Sequence, residues 1–246
     1  MLDLIAYFVL GAAFGSFLNV LAMRFEENGR IFRRDIVRGR SRCQNCRKIL
    51  RWYELVPILS FALQRGKCRD CEHSLSWQYP FVEILSGLIF MLVPIYFYFA
   101  PVWILIFLTL LLITLIDLRL SIIPDQLNIF LGILGLALAY VHGDWAGRII
   151  GALVGFCLIG LVVRLSGDRG MGMGDWKMSA ALGLIVGWPN IVIAIASSFV
   201  IGGLIAIVLL LIGAKKIHAT IPFGPFLAIG AALAAIAGDQ LIKLYL

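Results

Sequence analysis

Residues 101–117 read "PVWILIFLTLLLITLID": sixteen consecutive positions without an ionisable side chain, ended by Asp117. The run is continuous rather than alternating, so it reads as an apolar helix and not as a barrel strand. Similar runs cover Tyr79–Ala100, Asp125–Val141, Gly147–Leu165, Lys177–Trp188, Asn190–Gly213 and Pro222–Lys243, and another fills residues 1–23. That makes about eight spans, with Lys177–Trp188 short for a full crossing. Composition agrees. The 246 residues are 61% hydrophobic and 14% charged, against roughly half and a quarter in soluble domains. The expected fold class is an all-α polytopic membrane protein.

Charge orients it. Residues 24–79 hold 13 Lys/Arg against 6 Asp/Glu, whereas the remainder holds 8 of each, so the whole net charge of +7 lies in one polar segment. The segment carries no helix-turn-helix or stacking pattern, which argues against nucleic acid as its partner. Basic loops stay cytoplasmic. The first helix has Asp3 in front and Arg24 behind, opposite to a cleaved signal peptide, so it is expected to be retained with its N-terminus outside. Eight spans then place 24–78, 117–124, 166–176 and 214–221 inside. Arg119, Arg164, Arg169, Lys177, Lys215 and Lys216 fall within or at the edges of these segments, while only Arg148 and Lys243 lie at the outer ends. The expected organisation is a first helix at 1–23, a cytoplasmic domain at 24–78 and a seven-helix membrane domain at 79–246. Gly-x-x-x-Gly spacings at Gly11/Gly15, Gly151/Gly155 and Gly183/Gly187 permit close helix contact, though such spacings are common by chance in a chain with 25 glycines.

Four of the five cysteines form two knuckles in the basic segment, Cys43-x-x-Cys46 and Cys68-x-x-Cys71, with 21 residues between them. Two residues between thiolates let both reach one tetrahedral ion, and two knuckles complete a structural zinc site. Two disulfides are the alternative, but they need an oxidising compartment and this loop is assigned to the cytoplasm. A domain of this size often needs a metal staple. Trp52, Tyr53, Leu55, Pro57, Ile58, Leu59 and Phe61 are expected to pack between the knuckles, and Cys157 is expected to be a small core residue.

Ionisable residues bordering membrane spans are functional candidates by default. Glu83, Asp117, Asp125 and Asp175 are the ones here. Asp125 follows Pro124 and suits a helix N-terminus. Asp117 ends its run, where a carboxylate opposes the helix dipole. Asp168 sits in a polar turn and reads as solvated. Asp175 also suits a helix start, but Gly172 and Gly174 just before it allow a close backbone approach that a simple cap does not need. Lys177 reads as an interfacial anchor. Two carboxylates brought together share a proton, so one can activate water while the other protonates the substrate. No zincin, nucleophile-elbow or Walker motif competes with that reading.

The motifs "GSFLNVLAMR" (15–24), "WYELVPILSFALQRGK" (52–67) between the cysteine pairs, "YPFVEILSG" (79–87), "IDLRLSIIPD" (116–125) and "GMGMGDWK" (170–177) occur in that order. With them the chain resembles the type IV prepilin peptidases, bacterial GxGD-type aspartic membrane enzymes. The resemblance implies Asp117 and Asp175 as the catalytic pair, Cys43, Cys46, Cys68 and Cys71 as the metal ligands, and Asp125, Gly172, Gly174, Lys177 and Glu83 in support. It implies prepilin or pseudopilin substrates, lipid as surroundings, an inner-membrane location and a cytoplasmic-face site. It also implies N-methylation of the new terminus with S-adenosylmethionine, for which no Rossmann-type fingerprint is present. Glu26, Glu27, Glu54 and Glu72 are candidates to contact the basic leader. A peptidase without methyl transfer, or a zinc-knuckle scaffold or transporter, is the alternative.

Overall fold

The computed structural model describes residues 2–26, 39–166, 171–213 and 221–245. Glu27, Asp168, Arg169, Gly170, Lys215, Lys216 and His218 lie outside the described residues. The described residues form helices α1 (Leu2–Arg24), α2 (Leu59–Leu63), α3 (Gln78–Tyr96), α4 (Ala100–Leu120), α5 (Asp125–His142), α6 (Trp145–Ser166), α7 (Met173–Val186), α8 (Asn190–Leu211) and α9 (Gly224–Tyr245). Seven of them, all but α2 and α7, are long and apolar enough to cross a membrane, so the chain is a multi-pass membrane protein. The expected short span appears as α7. Its 14 residues rise only about 21 Å, less than the ~30 Å hydrocarbon thickness.

The chain divides into two compact units, Met1–Leu108 and Thr109–Leu246. In the first, α1 lies along α3. Gly11 and Gly15 make that possible. A Cβ at Gly11 would stand 2.6 Å from the Ser86 carbonyl oxygen, and one at Gly15 would stand 2.8 Å from that of Val82. The Ser86 hydroxyl donates to the Gly11 carbonyl across the same contact, at 2.7 Å.

In the second unit α7 is central and touches α5, α6, α8 and α9. Gly151 and Gly155 of α6 meet Gly183 and Ser179 of α7 backbone to backbone, so two of the small-residue spacings are helix contacts. Ser179 is fully buried and donates to the Gly155 carbonyl at 3.0 Å. Arg148 donates to the carbonyls of Leu184 and Ile185 at 2.8 and 2.6 Å. A cation on the last carbonyls of a helix complements its negative end, and this one fixes the far end of α7.

Two packing expectations fail. Cys157 is exposed on α6. Its neighbours are apolar because they face lipid, and hydropathy does not separate a lipid-facing from a protein-facing surface. Trp52 and Leu59 are 79% and 60% exposed, so they do not fill the space between the knuckles.

Candidate active site

Asp117 is not at the end of its helix. α4 continues to Leu120, and Asp117 lies one turn inside, 4% exposed. Its Oδ2 accepts the backbone N–H of Gly224, the first residue of α9, at 2.9 Å. The dipole conflict with its own helix is thereby offset: a carboxylate at the C-terminal turn of α4 meets the positive N-terminus of α9.

Asp175 occupies the first turn of α7, 8% exposed. Its Oδ2 accepts the Gly172 N–H at 3.1 Å, so one oxygen serves as a cap. Among the described residues its Oδ1 is buried with no hydrogen-bond partner, and buried polar atoms are normally paired. This oxygen therefore stands apart from the structural role.

Ile123 ties the two acids together. A Cβ at Gly174 would lie 2.9 Å from Ile123 Cβ, and one at Gly224 would lie 3.2 Å from Ile123 Cδ1 and 2.7 Å from Asp117 Oδ2. The glycine of the Gly-x-Gly-Asp motif thus lets α7 press on the loop that follows α4, and Gly224 does the same for α9. Asn128 of α5 donates to the Gly174 carbonyl at 3.3 Å. Gly224 and Asn128 were not among the residues singled out from sequence. A backbone N–H can come from any residue type, and only the Gly-Pro pair at 224–225 hints at a helix start there.

Asp125 is separate. Its side chain is 62% exposed and forms an ion pair with Lys177 at 2.8 Å, and no side-chain cap bond closes the start of α5. Lys177 is therefore a partner of Asp125. Glu83 lies in the first unit, buried, accepting the Ile58 N–H at 2.7 Å. Glu54 is buried as well, accepting the Arg51 N–H at 2.8 Å with Lys48 at 3.8 Å, which removes it from the exposed acids able to meet a leader.

The four knuckle sulfurs all lie within 4.8 Å of one another. Cys43 and Cys71 Sγ are 3.8 Å apart, the spacing of about 3.8 Å that two ligands at ~2.3 Å from one tetrahedral ion require. The two knuckles are built alike. The Cys43 N–H donates to the Lys48 carbonyl and the Cys68 N–H to that of His73, both at 2.9 Å. The residue after each second cysteine, Arg47 or Glu72, has a left-handed backbone with φ of 58° or 54°. The backbone N–H of His73 holds the Cys71 thiol down at about 6, favouring the thiolate that a metal binds. The described cysteines are all free thiols, and the cluster is compatible with zinc.

Fold and site together define a polytopic helical membrane protein with two buried aspartates, each accepting a backbone N–H at the start of a helix, and a four-cysteine cluster between its first two spans. Residues 9–97 match the Bacterial Peptidase A24 N-terminal domain, and residues 104–207 match the Type IV leader peptidase family. Three proteins named prepilin leader peptidase/N-methyltransferase are similar over nearly the whole chain. That of Bacillus subtilis is 32% identical, covering 97% of this chain and 96% of the relative. That of Stutzerimonas stutzeri is 33% identical, covering 97% and 92%. That of Pseudomonas aeruginosa is 31% identical, covering 97% and 91%. No solved structure matches. The chain belongs to the type IV leader peptidase family.

Proposed function

We propose that this protein removes the basic leader from prepilins or pseudopilins by aspartic catalysis and methylates the amine so exposed. The observation that carries the first half is the pair Asp117 and Asp175, both buried, each beside a glycine that closes on Ile123, with one Asp175 oxygen unpaired among the described residues. A paired acid and carboxylate can activate water and protonate the leaving amine. The methyl-transfer half rests on the names of the relatives. Gly172 and Gly174 position Asp175 rather than react, and Asp125 and Lys177 support the site only as an exposed ion pair.

The basic segment 24–78 is read as the cytoplasmic zinc-bearing domain and 79–246 as the protease membrane domain. The protein then sits in the bacterial inner membrane with its N-terminus outside and its aspartates at the cytoplasmic face, in accord with the placement of its lysines and arginines. Purified protein incubated with a prepilin peptide should yield the shortened product, and with S-adenosylmethionine present that product should gain the mass of one methyl group. Cleavage without the gain would leave a peptidase alone, and no cleavage would favour a scaffold or transporter.

Cys43, Cys46, Cys68 and Cys71 would hold one zinc ion, whose contribution is structural. Elemental analysis should find about one zinc per chain. Cys68→Ser should abolish it and lower the thermal midpoint, because ligand binding at a site absent from the unfolded chain is folding free energy. A metal-free protein of unchanged midpoint would refute the staple.

A further inference from the structure

Between Asp175, with its unpaired oxygen, and Lys177, the partner of Asp125, stands Trp176. Successive side chains on a helix point about 100° apart, so these three residues leave α7 in three directions. Trp176 goes to α6. Its indole N–H donates to the Phe156 carbonyl at 2.7 Å, and its ring lies against that of Phe156 with centroids 4.6 Å apart. A backbone carbonyl has two lone pairs, so one inside a helix can still accept such a donor.

The seat for the indole is Gly160, one turn beyond Phe156. A Cβ at Gly160 would stand 2.5 Å from Trp176 Nε1, 2.6 Å from Cε2 and 2.9 Å from Cζ2, so its three nearest atoms all belong to this one side chain. Gly160 continues a line along α6. Gly151 faces Gly183, Gly155 faces Ser179 and Gly160 faces Trp176. The two helices thus run antiparallel, backbone on backbone at the far end and backbone on indole beside Asp175. A tryptophan of an interfacial belt keeps its N–H at the wet end. Here the residue is half-buried and its N–H turns to the neighbouring helix.

We propose that Trp176 is a positioning residue of the peptidase: seated on Gly160 and bonded to Phe156, it fixes the rotation of α7 about its own axis and so the direction of Asp175. This rests on the aspartic half of the proposed function. One Asp175 oxygen is already held by the Gly172 N–H of the same turn, so a rotation of α7 carries the acid with it. Two other contacts hold this turn. Asn128 reaches the Gly174 carbonyl at 3.3 Å, and Asp125 pairs with Lys177 in an exposed ion pair. The shorter bond to α6, backed by a ring contact, is the stiffest of the three. Reacting groups must be held within about 0.5 Å and 10–20° of their working geometry, which a loosened first turn would not do.

The test is cleavage of a prepilin peptide by the full-length protein in detergent, with the thermal midpoint read on the same samples. Trp176→Phe keeps a ring and loses the N–H, and should lower kcat about 3–10-fold. Trp176→Leu removes the ring, and Gly160→Ala drives a methyl group into it; each should lower kcat about 10–100-fold. KM should stay within about twofold in all three, the mark of an interaction felt only in the transition state. Gly160→Ala should cost nothing further once Trp176→Leu has emptied the seat. A contact that only stabilised the fold would lower the midpoint and leave kcat per folded molecule unchanged. Wild-type kcat in Trp176→Phe and Trp176→Leu, a change confined to KM, or an equal loss from Gly160→Ala with and without Trp176 would overturn the proposal and leave the aspartic reading standing. If Trp176→Leu does not accumulate, Trp176→Phe and Gly160→Ala decide alone: wild-type kcat per folded molecule in both overturns it. No cleavage by the wild type would overturn both readings.

Discussion

Asp117→Asn and Asp175→Asn each bring leader cleavage down by about 10²–10⁴-fold or more, to background in a peptide assay. The size follows from what the substitution removes. Asparagine still offers an oxygen to the Gly224 or Gly172 N–H, the hydrogen bond each carboxylate accepts among the described residues, so the junctions at α9 and α7 persist. What is lost is the ability to hold and exchange a proton. In a shared-proton pair either acid is useless alone, so the double variant should be no worse than either single one. Folding is checked without reference to cleavage, because methylation of a pre-cleaved substrate should continue in both variants. Asp125→Asn serves as the contrast. It breaks an exposed ion pair with Lys177, worth about 0–1 kcal/mol, and should leave most activity. Normal cleavage by Asp117→Asn, or complete loss in a folded Asp125→Asn, would show that the pair has been assigned to the wrong acids.

The reach of the sequence can be judged from the same residues. Continuous apolarity marked the spans because it is a one-dimensional property. The end of α4 was missed because hydropathy stops at the first charge, whereas the hydrogen-bonded helix runs three residues further, to Leu120. The knuckles were legible because their ligands are near neighbours in the chain and their chemistry is specific. Asp117 and Asp175 stood out because charge is rare beside such runs. The partners of these acids did not, since Gly224 contributes a backbone N–H more than a hundred residues from Asp117. The choice between Asp117 and Asp125 as partner of Asp175 was likewise a question of three-dimensional proximity. The exposure of Trp52 and Leu59 escaped for a related reason: an apolar side chain in a small domain suggests a core, but a cluster held by four thiols does not require one.

Gly183→Ala should lower the thermal midpoint by about 2–8 °C and reduce cleavage with it. The methyl group would overlap the carbonyl of Gly151 and the amide of Ala152 on α6. Those are backbone atoms of a facing helix, with no side chain to rotate aside, so α6 and α7 must separate. Overpacking of this kind costs about 1–3 kcal/mol, and each kcal/mol moves the midpoint of a chain this size by about 2–4 °C. The helix-propensity gain from alanine, about 1 kcal/mol, offsets part of this, but three overlaps with backbone atoms, all under 3.0 Å, keep the net effect destabilising. Activity falls because α7 also carries Asp175, two turns away on the same rigid element, and the Arg148 and Ser179 contacts that seat the helix lie on either side of the displaced point. Gly132→Ala on α5 and Gly203→Ala on α8 isolate the effect. A Cβ at either position meets nothing within 4 Å, so both should retain or slightly raise the midpoint and keep full cleavage. If Gly183→Ala matched these two in midpoint and rate, the close α6–α7 contact could not be what holds α7 and its Asp175 in place.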